Sequence, residues 1–204
     1  MATDTHKLKS TYEKIADDYH ADHAADTWDD DFIEIFSQMV GKGAKVLDLG
    51  CGPGIETKKL VGKGLSVYGL DLSDKLLEIA RKNNPAVEFV QGDMRHLPYG
   101  DGQFDGVFAK ASLLHIPKSD IPQVLAEISR VLKPKGVFHA AVKQGEGEKE
   151  ETEDDYGYAY TRFFSYWTQE EFQRQLTEHG FKITNSDILK RSFTWIRVIA
   201  LKAR

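Results

Sequence analysis

The 204-residue chain is predicted to fold as one α/β domain, a mostly parallel, doubly wound sheet with helices on both faces and an antiparallel edge strand. Three observations predict it. Short apolar runs alternate with segments of helical spacing from residue 44 to residue 143. The first of those runs ends in a cluster of glycines just before a helical segment. Two apolar runs close the chain with only a few residues between them, so they pair as a hairpin. No internal repeat and no linker divides the chain.

Residues 8–40 carry helical spacing, first in Tyr12, Ile15, Ala16 and Tyr19, then in Phe32, Ile35, Phe36 and Met39. A polar stretch, HADHAADTWDDD, separates the two as a loop or weak helix, and Gly41 and Gly43 end this preface. AKVLDLG (44–50) is an apolar run stopped by glycine, as a buried parallel strand should be. A helix is expected over 54–63, a strand over 65–71, and a helix over 73–83 with Ser73 as its N-cap. Strands follow at 87–93 and 104–110, then a helix over 119–132 and a strand at 136–143. Such a rhythm requires right-handed crossovers between parallel strands. Residues 144–160 contain seven acids and read as an exposed segment, too polar to pack. Thr168 and Glu171 form a capping box for a helix ended by Gly180. Strands at 181–189 and 193–202 complete the chain.

The bulk numbers narrow the function. Hydrophobic residues make up 41% and charged residues 29%, a globular balance. The formal net charge of -5 lacks the basic excess of a nucleic-acid binder, so no nucleic-acid partner is expected and a small-molecule substrate is. The lone cysteine, Cys51, cannot form an internal disulfide, the first residues lack an apolar targeting segment, and no window approaches a membrane span. These features predict a cytoplasmic protein with no membrane partner, a monomer or homodimer. No metal site is expected.

The chemistry gathers at VLDLGCGPG (46–54). Gly50, Gly52 and Gly54 leave bare backbone between a strand and a helix N-terminus, where a flat or anionic ligand can approach. A dinucleotide is the obvious rival ligand. Its fingerprint places a third Gly or Ala five positions after the first, and here that position is Ile55. Asp48, two residues before Gly50, is expected to face the pocket, repelling a pyrophosphate and favouring a ligand with an ammonium and a sulfonium. Asp71 ends the second strand, where a carboxylate accepts hydrogen bonds from ribose hydroxyls; that pattern indicates a nucleoside of either cofactor type. Asp93 ends the third strand, and with the Met94 amide beside it can read an adenine edge. Cys51 has no partner base at a motif spacing and reads as a loop filler. His115, past the fourth strand, is the candidate catalytic base, in competition with a structural histidine bonded to backbone.

VLDLGCGPG, YGLDLS, FVQGDMRHLP, FDGVFAKASLLHI and LKPKGVF, in that order and followed by the terminal hairpin, resemble the class I S-adenosylmethionine-dependent methyltransferases over roughly residues 44–202. The resemblance implies a seven-stranded sheet of order 3-2-1-4-5-7-6 with the last strand antiparallel. It implies a Rossmann-like domain over 44–204 with an acidic insertion at about 144–160, and an N-terminal helical cap over 1–43. S-adenosyl-L-methionine is the implied cofactor, with Asp48 and the glycines near its methionine part and Asp71 on its ribose. Leu72 would cover one adenine face, and Asp93 and Met94 would read its edge. Lys110 would touch it through backbone, although a long cation departs from the small or polar residues common there. Tyr12 and Tyr19 look similar to aromatic cap residues that fold over such sites, while their helical spacing also suits packing. The implied reaction is methyl transfer to a small molecule. The competing readings are a methyltransferase acting on protein or RNA, and a nucleoside-binding protein without methyl transfer or a dehydrogenase.

Overall fold

The computed structural model describes residues 5–203; residues 1–4 of the expected cap and Arg204 lie outside them. Two helices come first, α1 (Thr5–His23) and α2 (Asp30–Val40). An alternating series follows: β1 (Lys45–Leu49), α3 (Ile55–Gly62), β2 (Ser66–Asp71), α4 (Asp74–Asn83), β3 (Glu88–Gln91), β4 (Phe104–Lys110), α5 (Ile121–Val131) and β5 (Leu132–Lys143). The chain ends with β6 (Glu148–Glu153), β7 (Tyr160–Ser165), α6 (Gln169–Glu178), β8 (Phe181–Lys190) and β9 (Thr194–Lys202).

Seven strands form one sheet in the order β3-β2-β1-β4-β5-β9-β8. With β8 and β9 as the sixth and seventh strands expected, this is the predicted order. The pairs β1–β2, β1–β4, β2–β3 and β4–β5 are parallel. The antiparallel strand is β9, and it lies between β5 and β8 rather than at the edge. The edge is β8, because the terminal hairpin docks through its second strand.

The pleat of β1 distributes its side chains to two cores. Leu47 and Leu49 join Val107, Leu125, Ile128, Phe138 and Phe172 on the α5 and α6 face. Val46 joins Phe32, Phe36, Leu60 and Phe108 on the α2 and α3 face. The expected cap is therefore two different things. The apolar stripe of α2 is buried in this second core, so α2 is a sheet-covering helix. Only α1 lies against the rim, bonded to α4 through Lys9 and Asp74 at 2.8 Å.

The acidic segment departs from expectation. Glu148–Glu153 pairs antiparallel with Tyr160–Ser165 as a separate two-stranded ribbon. Cross-strand chemistry, invisible in a one-dimensional polar run, holds it. Arg162 Nε and Nη2 donate to the Glu153 carboxylate at 2.8 and 2.7 Å, and the Tyr166 hydroxyl donates to Glu151 at 2.8 Å. The ribbon is tied to α1, since Thr11 Oγ1 donates to the Thr161 carbonyl at 2.9 Å and Lys14 Nζ to the Ala159 carbonyl at 2.7 Å. Helix caps follow the sequence more closely. Ser73 accepts from the Leu76 amide, and Thr168 from the Glu171 amide. The Glu171 carboxylate instead receives Lys118 Nζ, so only half of the expected capping box forms.

Candidate active site

Open parallel sheets bind ligands at the carboxyl ends of their strands. Here a cavity of about 460 Å3 opens there, between the rim, α1 and the β6–β7 ribbon. Its walls include Tyr12, Tyr19, Gly50, Gly52, Asp71, Leu72, Asp93, Met94, Lys110 and His115. Ten of the expected site residues thus come together from distant parts of the chain. Asp48 and Gly54 are not on the walls.

The glycines divide into two kinds. Gly50 has φ +74°, and a Cβ there would lie 2.3 Å from Ser112 Cβ, because Ser112 Oγ reaches beneath the loop to the Leu49 carbonyl at 2.7 Å. Gly54 has φ +78°, and its Cβ would lie 2.6 Å from Asn84 Nδ2. Gly52, at φ +52°, has nothing within 4 Å of that position. Its bare backbone faces open space at the cavity wall. The left-handed conformation costs a side-chain residue about 1–2 kcal/mol, and overpacking adds about 1–3 kcal/mol at Gly50. Gly50→Ala should therefore melt well below the parent protein, whereas Gly52→Ala should stay folded and lose ligand affinity. Thermal unfolding and S-adenosylhomocysteine titration of the two variants check this separation.

Asp71 holds the loop. One carboxylate oxygen accepts the Gly52 amide at 2.8 Å and the other the Ser73 amide at 2.9 Å, leaving further lone pairs toward the cavity. Burial raises its pKa, and those amides together with that of Leu72 pull it back. Asp93 is engaged differently. Both of its oxygens meet the Arg95 guanidinium, which also donates to Asp120 at 2.9 Å and to Thr5 Oγ1. Burial acts to raise the Asp93 pKa, but Arg95 outweighs it and holds the group below the ordinary carboxylate range. Arg95 was not singled out in the sequence. It joins the third-strand rim to the start of α1.

Asp48 is 2% exposed and lies beneath the loop, accepting the Thr57 hydroxyl at 2.6 Å. The pleat explains the position, for Asp48 shares a face with Val46 and so points toward α3. Burial pushes its pKa up to about 7, against the pull of Thr57. A carboxylate whose folded pKa lies above its unfolded value near 3.9 stabilises the fold at low pH and loses that contribution as pH rises to about 7. The loss is at most about 4 kcal/mol over that range. Buried His115 has the opposite slope, because its pKa is lowered and it loses stability as pH falls. Comparing the parent with Asp48→Asn cancels that second effect. In urea unfolding between pH 4.5 and 8 the parent should lose stability relative to this variant, and a pH-independent difference would refute it.

Lys110 is the departure noted in the motif, and the structure accounts for it. The side chain is 8% exposed, with Nζ 2.5 Å from Glu56 Oε1, 3.9 Å from Asp26 Oδ2 and 4.5 Å from the Trp28 ring centroid. Two carboxylates and a ring balance the cation, so the cavity does not face an unpaired positive charge at this point. At His115 the ring is fixed by its neighbours. Nδ1 faces the Phe163 carbonyl at 2.7 Å, which can only accept, so the proton sits on Nδ1. Nε2 then accepts the Tyr12 hydroxyl at 2.6 Å. Burial, reinforced by Arg162 and Lys143, lowers the His115 pKa to about 3, while the Phe163 carbonyl opposes the shift. The ring is neutral, and its one acceptor is in use. Tyr12 also packs edge-on against Tyr19 at 5.5 Å between ring centroids. Among the described residues no group of three or more His, Cys, Asp or Glu side chains is placed to hold a metal.

Comparison with known proteins agrees with this geometry. Residues 46–136 match the sequence family described as "Methyltransferase domain". The chain is 40% identical over 99 residues to an uncharacterized methyltransferase of Synechocystis sp., covering 48% of this chain and 47% of that protein. It is 40% identical over 107 residues to the demethylmenaquinone methyltransferase of Staphylococcus carnosus, covering 50% and 44%. The matched stretches thus span about half or less of those relatives. A solved structure of 1,6-didemethyltoxoflavin-N1-methyltransferase from Burkholderia thailandensis, with 1,6-didemethyltoxoflavin and S-adenosylhomocysteine bound, superposes with a TM-score of 0.79 at 22% identity. That likeness, one of fold, covers 98% of this chain and 88% of the other. The matched segment is similar to a methyltransferase domain, and the seven-strand order is that of the fold this solved structure shares.

Proposed function

We propose that this protein transfers a methyl group from S-adenosylmethionine to a small molecule in the cytoplasm. The observation that carries the reading is the Gly52–Asp71 cradle, a side-chain-free loop at the cavity wall whose amide is held by a buried carboxylate that still faces the cavity. Gly50 and Gly52 border the methionine part of the cofactor, Asp71 takes the ribose hydroxyls, and Leu72 covers the adenine. Asp93 and the Met94 amide read the adenine edge, with Arg95 fixing the carboxylate. Tyr12 and Tyr19 close the site from α1. Asp48 acts from beneath, through its field, and Gly54 serves helix packing.

The cofactor when bound supplies a methyl carbon on a sulfonium leaving group. The chain's own task is to orient an acceptor in line with that carbon and to exclude water. Orientation of this kind is worth about 7–11 kcal/mol. His115 does not take a proton from the acceptor in this reading; it positions the Tyr12 hydroxyl at the cavity wall. The cavity lies between the rim, α1 and a narrow ribbon, and the formal net charge is -5, which favours a small acceptor over RNA. The similarity to a demethylmenaquinone methyltransferase and to a 1,6-didemethyltoxoflavin-N1-methyltransferase supports the same class of acceptor.

Calorimetry tests the cofactor assignment. S-adenosylhomocysteine should bind and NAD should not; binding of NAD alone would refute it. A radiolabelled-methyl screen over a metabolite library, with bulk RNA and protein in parallel, then tests the acceptor class. Label entering RNA or protein in place of the small molecules would move the assignment to a macromolecular methyltransferase.

A further inference from the structure

The cavity contains a cation that the proposed cofactor contacts leave unused. Lys143 ends β5, and its side chain is 4% exposed yet lines the cavity. Its Nζ lies 3.7 Å from the Phe164 ring centroid and 3.8 Å from that of Phe193, with Tyr166 at 6.0 Å. Among the described residues its Nζ donates no hydrogen bond and forms no ion pair within 4.0 Å, and Glu151 and Glu153 act on it only at longer range. Lys110 and Arg162, which share the cavity, are both paired, with Glu56 and Glu153. Lys143 is not.

An ammonium has three N–H donors and loses much of its hydration when buried. Aromatic faces compensate only in part. Burial accordingly lowers its pKa to about 8, Arg162 and Lys149 adding to the fall while Glu151 and Glu153 resist it. At neutral pH the group is still mainly charged. A buried cation without a protein acceptor, at the wall of a ligand cavity, suits an anionic ligand.

Position narrows which anion. Phe164 is shared, for its ring also lies 4.9 Å from that of His115. Lys143 therefore stands beside the Tyr12–His115 pair. The strand order places β5 two strands from β1, about 10 Å from the glycine loop at ordinary strand spacing. Multiplicity of charge matters too. Glu153 and Asp155 also line the cavity, and Arg162 is already neutralised, so a single unpaired cation suits one negative charge better than a phosphate dianion.

We infer that the methyl acceptor is a monoanionic carboxylate on a flat apolar body, its carboxylate bound by Lys143 and its body by Phe164 and Phe193. The inference rests on the methyltransferase reading, because it names the acceptor of that reaction.

Benzoate and benzamide, which share shape and differ in charge, are the probes. They are titrated calorimetrically into the protein with and without S-adenosylhomocysteine, with inorganic phosphate as a third ligand. The parent should bind benzoate at least tenfold more tightly than benzamide. Lys143→Gln and Lys143→Met should both lose that preference while keeping S-adenosylhomocysteine affinity within threefold. Removing an unpaired buried charge should leave both variants melting no lower than the parent, so a folding failure is readily distinguished. Absence of any benzoate preference in the parent, or its persistence in folded variants, would overturn the inference. So would tighter binding of phosphate than of benzoate. A parallel loss of S-adenosylhomocysteine affinity in the variants would show that the anion is the cofactor's own carboxylate, which also overturns it. If the parent binds benzoate selectively but not S-adenosylhomocysteine, the methyltransferase reading fails while the anion site stands.

Discussion

Replacing Asp71 with alanine is expected to weaken S-adenosylhomocysteine binding by about 100-fold or more. A buried carboxylate that accepts two hydroxyls contributes roughly 1.5 kcal/mol or more for each charge-assisted bond, and each 1.4 kcal/mol is tenfold in affinity. A second loss adds to this. The same carboxylate holds the Gly52 and Ser73 amides at 2.8 and 2.9 Å, so the variant leaves two buried donors unmatched and relaxes the loop against which the ligand lies. Asp71→Asn separates the two effects. It keeps one acceptor oxygen but turns an N–H2 group toward an existing donor or toward the ribose, and an intermediate loss of about tenfold is expected. Calorimetric titration of the three proteins, with thermal unfolding as a control, measures both. A folded Asp71→Ala protein that binds within threefold of the parent would remove Asp71 from the site, and with it the nucleoside reading.

Much of this rim was readable because its residues obey rules that need no partner. Asp71 and Asp93 end strands, Gly52 sits between a strand and a helix, and a ligand at the carboxyl edge of a parallel sheet is a property of the fold class. Asp48 shows where one more step of the same logic was needed. The alternation Val46, Leu47, Asp48, Leu49 already put it on one face with Val46, and that face belongs to the α3 core. Lys143 ends a strand as Asp71 does, so the same edge rule would have placed it at the cavity. Its aromatic cage was not readable, since Phe164 and Phe193 arrive from the ribbon and the terminal hairpin. The β6–β7 ribbon illustrates the harder limit. EKEETE has no apolar alternation of its own, and only pairing with YTRFFS and contact with α1 give it a strand's reason to exist.

Arg197→Met should lower the melting temperature by about 10 °C, the largest stability change expected outside the hydrophobic cores. Arg197 is 3% exposed and its guanidinium meets three carboxylates. Nη1 donates to Asp31 at 2.6 Å, to the Trp28 carbonyl at 3.0 Å and, longer, to Asp29 at 3.4 Å; Nη2 donates to Asp187 at 2.6 Å. Burial alone would lower its pKa, and Asp187 and Asp31 reverse the sign. These partners do not weigh equally. Asp31 and Asp187 are largely open to solvent, so water takes over when the cation leaves and each pair contributes little. Asp29 is 1% exposed and would keep only His139 Nε2, at 2.8 Å. Breaking a buried charge network from one side costs about 3–5 kcal/mol, and at about 2–4 °C per kcal/mol for a chain of this size that gives the stated shift. Asp29→Asn in the Arg197→Met background removes the stranded charge and should restore part of the loss. The cavity should register the change as well, because Trp28 is stacked on Trp195 at 4.6 Å between ring centroids and lies under Lys110. Freed from Arg197, the Trp28 backbone would loosen the wall that keeps Lys110 balanced, and S-adenosylhomocysteine affinity should fall by a few-fold while the protein remains folded. Melting within 2 °C of the parent, or no recovery in the double variant, would show that Asp29 is satisfied without Arg197.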